Sequence, residues 1–182
     1  MTTVVTLLLA HLIGDFPLQT NKVFKLKNEG NLGLALHVVI HLVVAAILIG
    51  QPLQYWTVLA VLGVAHFTTD WIKLKYPGKS QAAGFVWDQL IHYITILLIG
   101  WWMPDVPALL STWIMIPAII LAFIPAIMLF FWVWANQIQR VEPNKEHLCV
   151  NWASQSLLPL SQRLGLVVVL ALVVTGSTVF LL

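Results

Sequence analysis

The sequence contains very little charge. Nine Lys and Arg and seven Asp and Glu occur among 182 residues, whereas 60% of the residues are hydrophobic. So few polar side chains could not cover the surface of a water-soluble domain of this size, which excludes a soluble protein. The composition therefore indicates an integral membrane protein.

Cysteines and basic runs are also scarce. The single cysteine, Cys149, excludes an internal disulfide. Because no run of Lys and Arg is long enough to bind a nucleic acid, we do not expect nucleic acid as a partner. The first residues lack the basic segment and the cleavage site of a signal peptide, so we interpret them as part of the first helix. Neither a Ser-His-Asp pattern nor a glycine-rich phosphate loop stands out.

Long apolar runs, in contrast, are abundant. A helix needs about 20 mostly apolar residues to cross a bilayer, and six such windows predict an all-α polytopic membrane bundle. The windows are 3–20, 32–50, 55–74, 84–103, 108–135 and 158–182. The fifth contains Pro117 and Pro125, which is compatible with one kinked helix or with two half-helices.

The positions of Lys and Arg predict an orientation, because short cytoplasmic loops are enriched in these residues. All nine occur around the loops that follow spans one, three and five: Lys22, Lys25, Lys27, Lys73, Lys75, Lys79, Arg140, Lys145 and Arg163. The loops on the opposite side contain only Asp105 as a charge. We therefore expect a protein of the inner (cytoplasmic) membrane with both termini outside and the three basic loops in the cytoplasm.

Ionisable residues recur at a spacing of four within the first four apolar runs. Residues 10–16 (AHLIGDF) and 65–71 (AHFTTDW) share the pattern Ala-His-x3-Asp-aromatic, and each copy is followed by a run with one more pair. Residues four apart lie on one face of a helix. The eight residues are His11 and Asp15, His37 and His41, His66 and Asp70, and Asp88 and His92. The repetition predicts that residues 1–104 form a duplicated-hairpin bundle, with residues 105–182 packed on it as a two-helix segment.

All eight residues are expected at a similar depth in the cytoplasmic half of the membrane. Counting about 1.5 Å per residue from the helix ends places four histidines roughly 12 to 15 Å deep and the other four residues one turn nearer the cytoplasm. The deeper set is His11, His41, His66 and His92. Structural pairing could retain some of these side chains, but eight costly residues at one depth favour a functional site.

The favoured interpretation is a metal centre, because imidazole and carboxylate groups are ligands for divalent zinc, manganese or iron. The eight candidate ligands, enough for one or two ions, are His11, Asp15, His37, His41, His66, Asp70, Asp88 and His92. Among them, Asp15, Asp70 and Asp88 are also candidate catalytic residues. Gln19 and Gln89 are candidates for binding a headgroup.

A metal near the cytoplasmic headgroups favours a metal-dependent hydrolase that acts on a membrane lipid or another membrane-associated substrate. Two alternatives stay open. The four deeper histidines could bind haem or a pigment in a subunit of an electron-transfer complex. The cluster could instead transport protons or metal ions, although the outer half of the membrane lacks the ionisable residues that this would need. The sequence also leaves open a homo-oligomer or a partner in a membrane complex.

Three segments carry a family resemblance. Residues 8–19 (LLAHLIGDFPLQ), 65–70 (AHFTTD) and 88–92 (DQLIH) resemble a bacterial membrane-protein family known as domain of unknown function 3307. The resemblance covers about the first hundred residues and implies no established activity. A looser similarity to membrane-bound metal-dependent hydrolases, in which the motif order differs, is an analogy only.

Overall fold

The structure, a computed structural model, describes residues 1–143 and 147–181, so Lys145 and Leu182 lie outside the described residues. Within this part of the chain there are seven α-helices and no strand, apart from an isolated bridge between Ile49 and Ala108. The helices are α1 (Thr2–Asp15), α2 (Asn21–Glu29), α3 (Asn31–Leu48), α4 (Trp56–Lys75), α5 (Gln81–Trp102), α6 (Thr112–Val141) and α7 (Leu148–Leu181). The predicted all-α class is confirmed.

Four helices of the described chain, α3, α5, α6 and α7, are long and apolar enough to cross a membrane. Helix α1 is apolar but has only 14 residues. Helix α4 has 20 residues and is less apolar because it carries His66, Asp70 and Lys73. The chain is thus a membrane protein, while the count of six spans and the orientation stay predictions.

The first predicted span differs most from the observed helices. Helix α1 ends at Asp15, because Pro17 has no amide hydrogen to donate to the Ile13 carbonyl, which accepts a hydrogen bond from the Leu18 amide at 3.1 Å instead. A separate helix, α2, follows after Thr20, whose side chain accepts a hydrogen bond from the Val23 amide at 3.4 Å. Helix α2 has only nine residues, several of them polar, so a search for apolar windows of about 20 residues does not detect it.

Helix α2 folds back closely onto α3. Gly30 lies between the two helices, and a Cβ atom added at Gly33 would collide with the backbone of Leu26. A side chain at this position would therefore push the helices apart. The close approach allows Lys27 of α2 to reach the interior of the protein.

Both C-terminal helices continue through proline. Helix α6 is one helix of 30 residues that includes Pro117 and Pro125, rather than two half-helices. Helix α7 begins at Leu148, well before the predicted window, and includes Pro159. The Ser161 hydroxyl donates a hydrogen bond to the Pro125 carbonyl at 3.0 Å and ties the two helices together.

Helices α1, α3, α4 and α5 form a ring in which α1 contacts α3, α3 contacts α4, α4 contacts α5 and α5 returns to α1. Helix α6 packs against α1 and α5, and α7 packs against α6. At one end Thr3 closes the ring, since its hydroxyl donates to the Met103 carbonyl at 2.5 Å and accepts from the Val106 amide at 3.0 Å. The interior of the ring is polar, because it contains buried His and Asp side chains. The internal duplication and the division at residue 104 stay predictions.

The predicted orientation can be tested with the exposed thiol of Cys149, at the start of α7. If the basic loops are cytoplasmic, an impermeant maleimide should leave Cys149 unlabelled in intact cells and label it once the membrane is opened. Asp105→Cys in a Cys149→Ser background provides the control, because Asp105 is exposed and belongs to a loop predicted on the other side. Labelling of Cys149, but not of the control, in intact cells would invert the topology.

Candidate metal centre

The eight ionisable residues predicted from the spacing lie together inside the four-helix ring. Each of the four helices contributes two of them, because residues four apart project from the same face. None is more than 5% exposed: His11, Asp15, His37, His41, His66, Asp70, Asp88 and His92. We call this set the His/Asp cluster.

Four members of the cluster each bring one ligand atom close to the others. We call Asp15, His37, His41 and His66 the first ligand group; their ligand atoms all lie within 4.8 Å of one another. Asp15 Oδ1 lies 3.1 Å from His41 Nε2 and 3.2 Å from His37 Nε2. His37 Nε2 in turn lies 3.3 Å from His66 Nε2. Three nitrogens and one oxygen thus converge from α1, α3 and α4.

Three separations in the first ligand group are close to those expected around a tetrahedral ion. Zinc binds histidine nitrogen and carboxylate oxygen at about 2.0 to 2.2 Å, so neighbouring ligand atoms of a tetrahedral site are about 3.3 to 3.6 Å apart. The three separations are 3.1 to 3.3 Å, close to the lower end of that range, and all the ligand atoms of the group lie within 4.8 Å of one another. The donor set of three imidazoles and one carboxylate also suits a divalent transition metal.

A second ligand group consists of His66, Asp70 and His92. His66 Nε2 lies 3.3 Å from Asp70 Oδ2, and His92 Nε2 lies 3.9 Å from Asp70 Oδ1. The His66 and His92 rings stack with their centroids 4.1 Å apart. Because His66 belongs to both groups and one nitrogen binds one ion, the groups define overlapping positions. The presence of one or two ions stays a prediction.

His11 belongs to neither ligand group and contacts Asp15 from the other side. The Gln89 amide donates to Asp15 Oδ2 at 2.7 Å, and Gln89 Oε1 lies 3.1 Å from His11 Nε2. His11 Nε2 is also 3.5 Å from Asp15 Oδ2. These contacts hold one carboxylate oxygen and leave Oδ1 facing His37 and His41, which is how outer residues orient a metal ligand.

The two glutamines predicted to bind a headgroup occupy different places. Gln89 is buried and bonded within the cluster, as described above. Gln19 is half-buried in the segment between α1 and α2, and its Oε1 atom has no hydrogen bond. Headgroup binding by either residue stays a prediction.

Two lysines that are not among the predicted site residues contact the His/Asp cluster. Lys27 Nζ lies 2.8 Å from Asp70 Oδ2, and Lys73 Nζ lies 2.7 Å from Asp88 Oδ2. The Lys27 side chain is 9% exposed, whereas that of Lys73 is 37% exposed. Lys27 follows Val23 by four residues and so lies on the less exposed face of α2. That spacing is the sequence feature that could have identified it.

The charges and hydrogen bonds of the cluster leave room for a further cation. With neutral histidines, three carboxylates face two ammonium groups, which leaves one net negative charge. Asp70 Oδ1, Asp88 Oδ1 and His92 Nε2 are buried without a hydrogen bond. Because an unsatisfied buried polar atom costs about 1 to 3 kcal/mol, a bound cation would stabilise this arrangement.

Comparisons with known proteins identify a family for the chain. No curated protein and no solved structure matches it. A family model described as "Protein of unknown function (DUF3307)" matches residues 3–121 and includes the whole His/Asp cluster with Lys27 and Lys73. Since the match covers more than half of the 182 residues, the chain belongs to the DUF3307 family.

Proposed function

We propose that this membrane protein binds a divalent metal ion in the His/Asp cluster and uses it to hydrolyse a membrane lipid or another membrane-associated substrate. The observation that carries the metal-binding part is the first ligand group, in which the ligand atoms of Asp15, His37, His41 and His66 lie within 4.8 Å of one another. Zinc, manganese and iron all suit these donors.

Hydrolysis is supported by the residues at the edge of the cluster. A divalent ion held by the three residues of the second ligand group would keep an open coordination position, where it would activate water and stabilise negative charge on a phosphoryl or carbonyl oxygen. Asp88 is buried outside both ligand groups, and its Oδ1 atom has no hydrogen bond, so it can accept a proton from the attacking water. Its partner Lys73 is partly exposed and offers a positive charge to an anionic substrate.

The packing of the imidazole rings favours a bare ion over haem. Two axial ligands of one haem lie on opposite faces of the porphyrin and cannot contact each other. In the cluster, the centroids of the His41 and His66 rings are 4.0 Å apart, and those of His66 and His92 are 4.1 Å apart. Rings at this separation leave no space for a porphyrin between them.

Metal content and chelator sensitivity test the proposal. Elemental analysis of detergent-purified protein should find about one divalent transition-metal ion per chain, because the two ligand groups share His66 and so define overlapping positions. Release of headgroup or fatty acid from phospholipid and lipid-phosphate substrates should stop on chelation and return when the metal is restored. Metal-free protein, hydrolysis that survives complete metal removal, or a visible haem spectrum would contradict the proposal.

A further inference from the structure

Lys27 is the most deeply buried of the lysines that the structure describes. Helix α2 carries Lys22 and Lys25 exposed at its surface, whereas Lys27 is buried. A lysine is almost never buried to this degree unless its charge is paired. The partner is Asp70, which is fully buried and lies 2.8 Å from the ammonium group.

The same carboxylate is a candidate ligand of the second ligand group. Asp70 Oδ2, which contacts Lys27, also lies 3.3 Å from His66 Nε2 and 3.5 Å from His37 Nε2. A divalent ion bound by Asp70 and His66 in that group would therefore stand within a few ångströms of the Lys27 ammonium group. Two positive charges this close repel each other strongly in a buried site.

The charge balance of the cluster points in the same direction. The three carboxylates and two lysines carry one net negative charge, so a divalent ion would change it to one net positive charge. Departure of one lysine would restore neutrality, which is the least costly state in a low-dielectric interior. Lys73 is less suited to leave, because its partner Asp88 belongs to neither ligand group.

We infer that the Lys27 ammonium group is the counter-ion of Asp70 in the metal-free protein. When a divalent ion binds, it replaces this positive charge and Lys27 is released from the cluster. Its long side chain can carry the ammonium group to the membrane surface. Helix α2 already exposes Lys22 and Lys25 there, together with Phe24, which is 50% exposed. Metal binding and the position of Lys27 on α2 are then coupled, and each affects the other by the same factor. This inference rests on the proposed metal site.

Lysine labelling of the wild-type protein tests the displacement directly. Detergent-purified protein is treated with an amine-acetylating reagent, with and without zinc, and modification at each lysine is measured by mass spectrometry. Without zinc, Lys27 should react at least about tenfold more slowly than Lys25, because a buried paired amine must first be released. With saturating zinc, the rate at Lys27 should approach that at Lys25, while Lys25 itself should not change.

A pair of variants tests the coupling from the other side. Lys27→Gln removes the competing charge and should increase zinc affinity about tenfold or more, whereas Lys25→Gln on the same helix should leave it unchanged. Stoichiometric zinc binding with Lys27 still protected would overturn the displacement and leave the metal site standing. Failure of zinc to bind at all would overturn the proposed function together with this inference. If Lys27→Gln does not fold, the labelling of wild-type protein still decides.

Discussion

His66→Ala should reduce bound metal to less than a tenth of the wild-type amount, which is the largest effect that we expect from a single histidine. His66 is the only residue that belongs to both ligand groups, so its loss removes a ligand from either position. Removal of a direct ligand leaves an incomplete set that binds metal far more weakly than the intact group. Elemental analysis of purified protein after gel filtration in detergent measures the loss.

His11→Ala is the matched comparison, since His11 and His66 occupy the same position in the two Ala-His-x3-Asp motifs. His11 Nε2 is paired with Asp15 Oδ2 and Gln89 Oε1, and His11 belongs to neither ligand group, so this variant should still bind an ion. Loss of such an orienting residue lowers metal affinity by about 10- to 100-fold without removing a ligand. An equal fall in the amount of bound metal in both variants would contradict the different roles of the two histidines. It would favour a duplicated site in which they are equivalent. Circular dichroism should show unchanged helix content in both.

A single glycine accounts for part of this asymmetry. A Cβ atom at Gly14 would lie 2.5 Å from His41 Cε1, so the His41 ring packs directly on this face of α1 and reaches Asp15. The corresponding position of the second motif is Thr69, which has a Cβ atom. The motif alone suggests equal roles for its two histidines. The difference between them depends on which neighbouring helix approaches each copy.

The all-α class and the residues of the cluster could be predicted because both depend on local patterns. Apolar runs indicate helices, and a spacing of four places two side chains on one helical face. Which atoms then converge could not be predicted, because that depends on the order of helices around the ring. Lys27 illustrates the limit: the sequence pattern predicts that it lies in a loop, whereas it lies on α2 and pairs with Asp70, 43 positions away along the chain.

The same limit applies to the ends of the helices. Pro17 ends α1 after 14 residues, although the apolar run continues in the sequence, and the separate helix α2 follows. In the opposite direction, α6 continues past Pro117 and Pro125, and α7 continues past Pro159. A proline ends or bends a helix according to which neighbours satisfy the freed backbone groups. Those neighbours are known only from the packing.

Asp88→Asn should reduce hydrolysis of a lipid substrate by about 100-fold or more, the usual effect of removing a general base. The amide keeps the shape of the carboxyl group but cannot accept the proton of water at neutral pH. Because Asp88 lies outside both ligand groups, the variant should keep its metal. Asp88 is a better choice than Asp70, whose loss would leave the buried Lys27 ammonium group unpaired and destabilise the fold. Lys73 is 37% exposed and can remain hydrated.

Turnover and metal content measured on the same preparation separate catalysis from binding. Glu29→Gln is the control for loss of a carboxylate, because Glu29 forms only an exposed pair with Lys25 at 3.9 Å; its turnover should equal that of the wild type. Asp88→Asn protein that keeps both metal and full activity would exclude Asp88 as the base. Loss of activity in proportion to metal would instead make Asp88 a residue that supports the ion, since a general base affects the rate of the loaded enzyme alone.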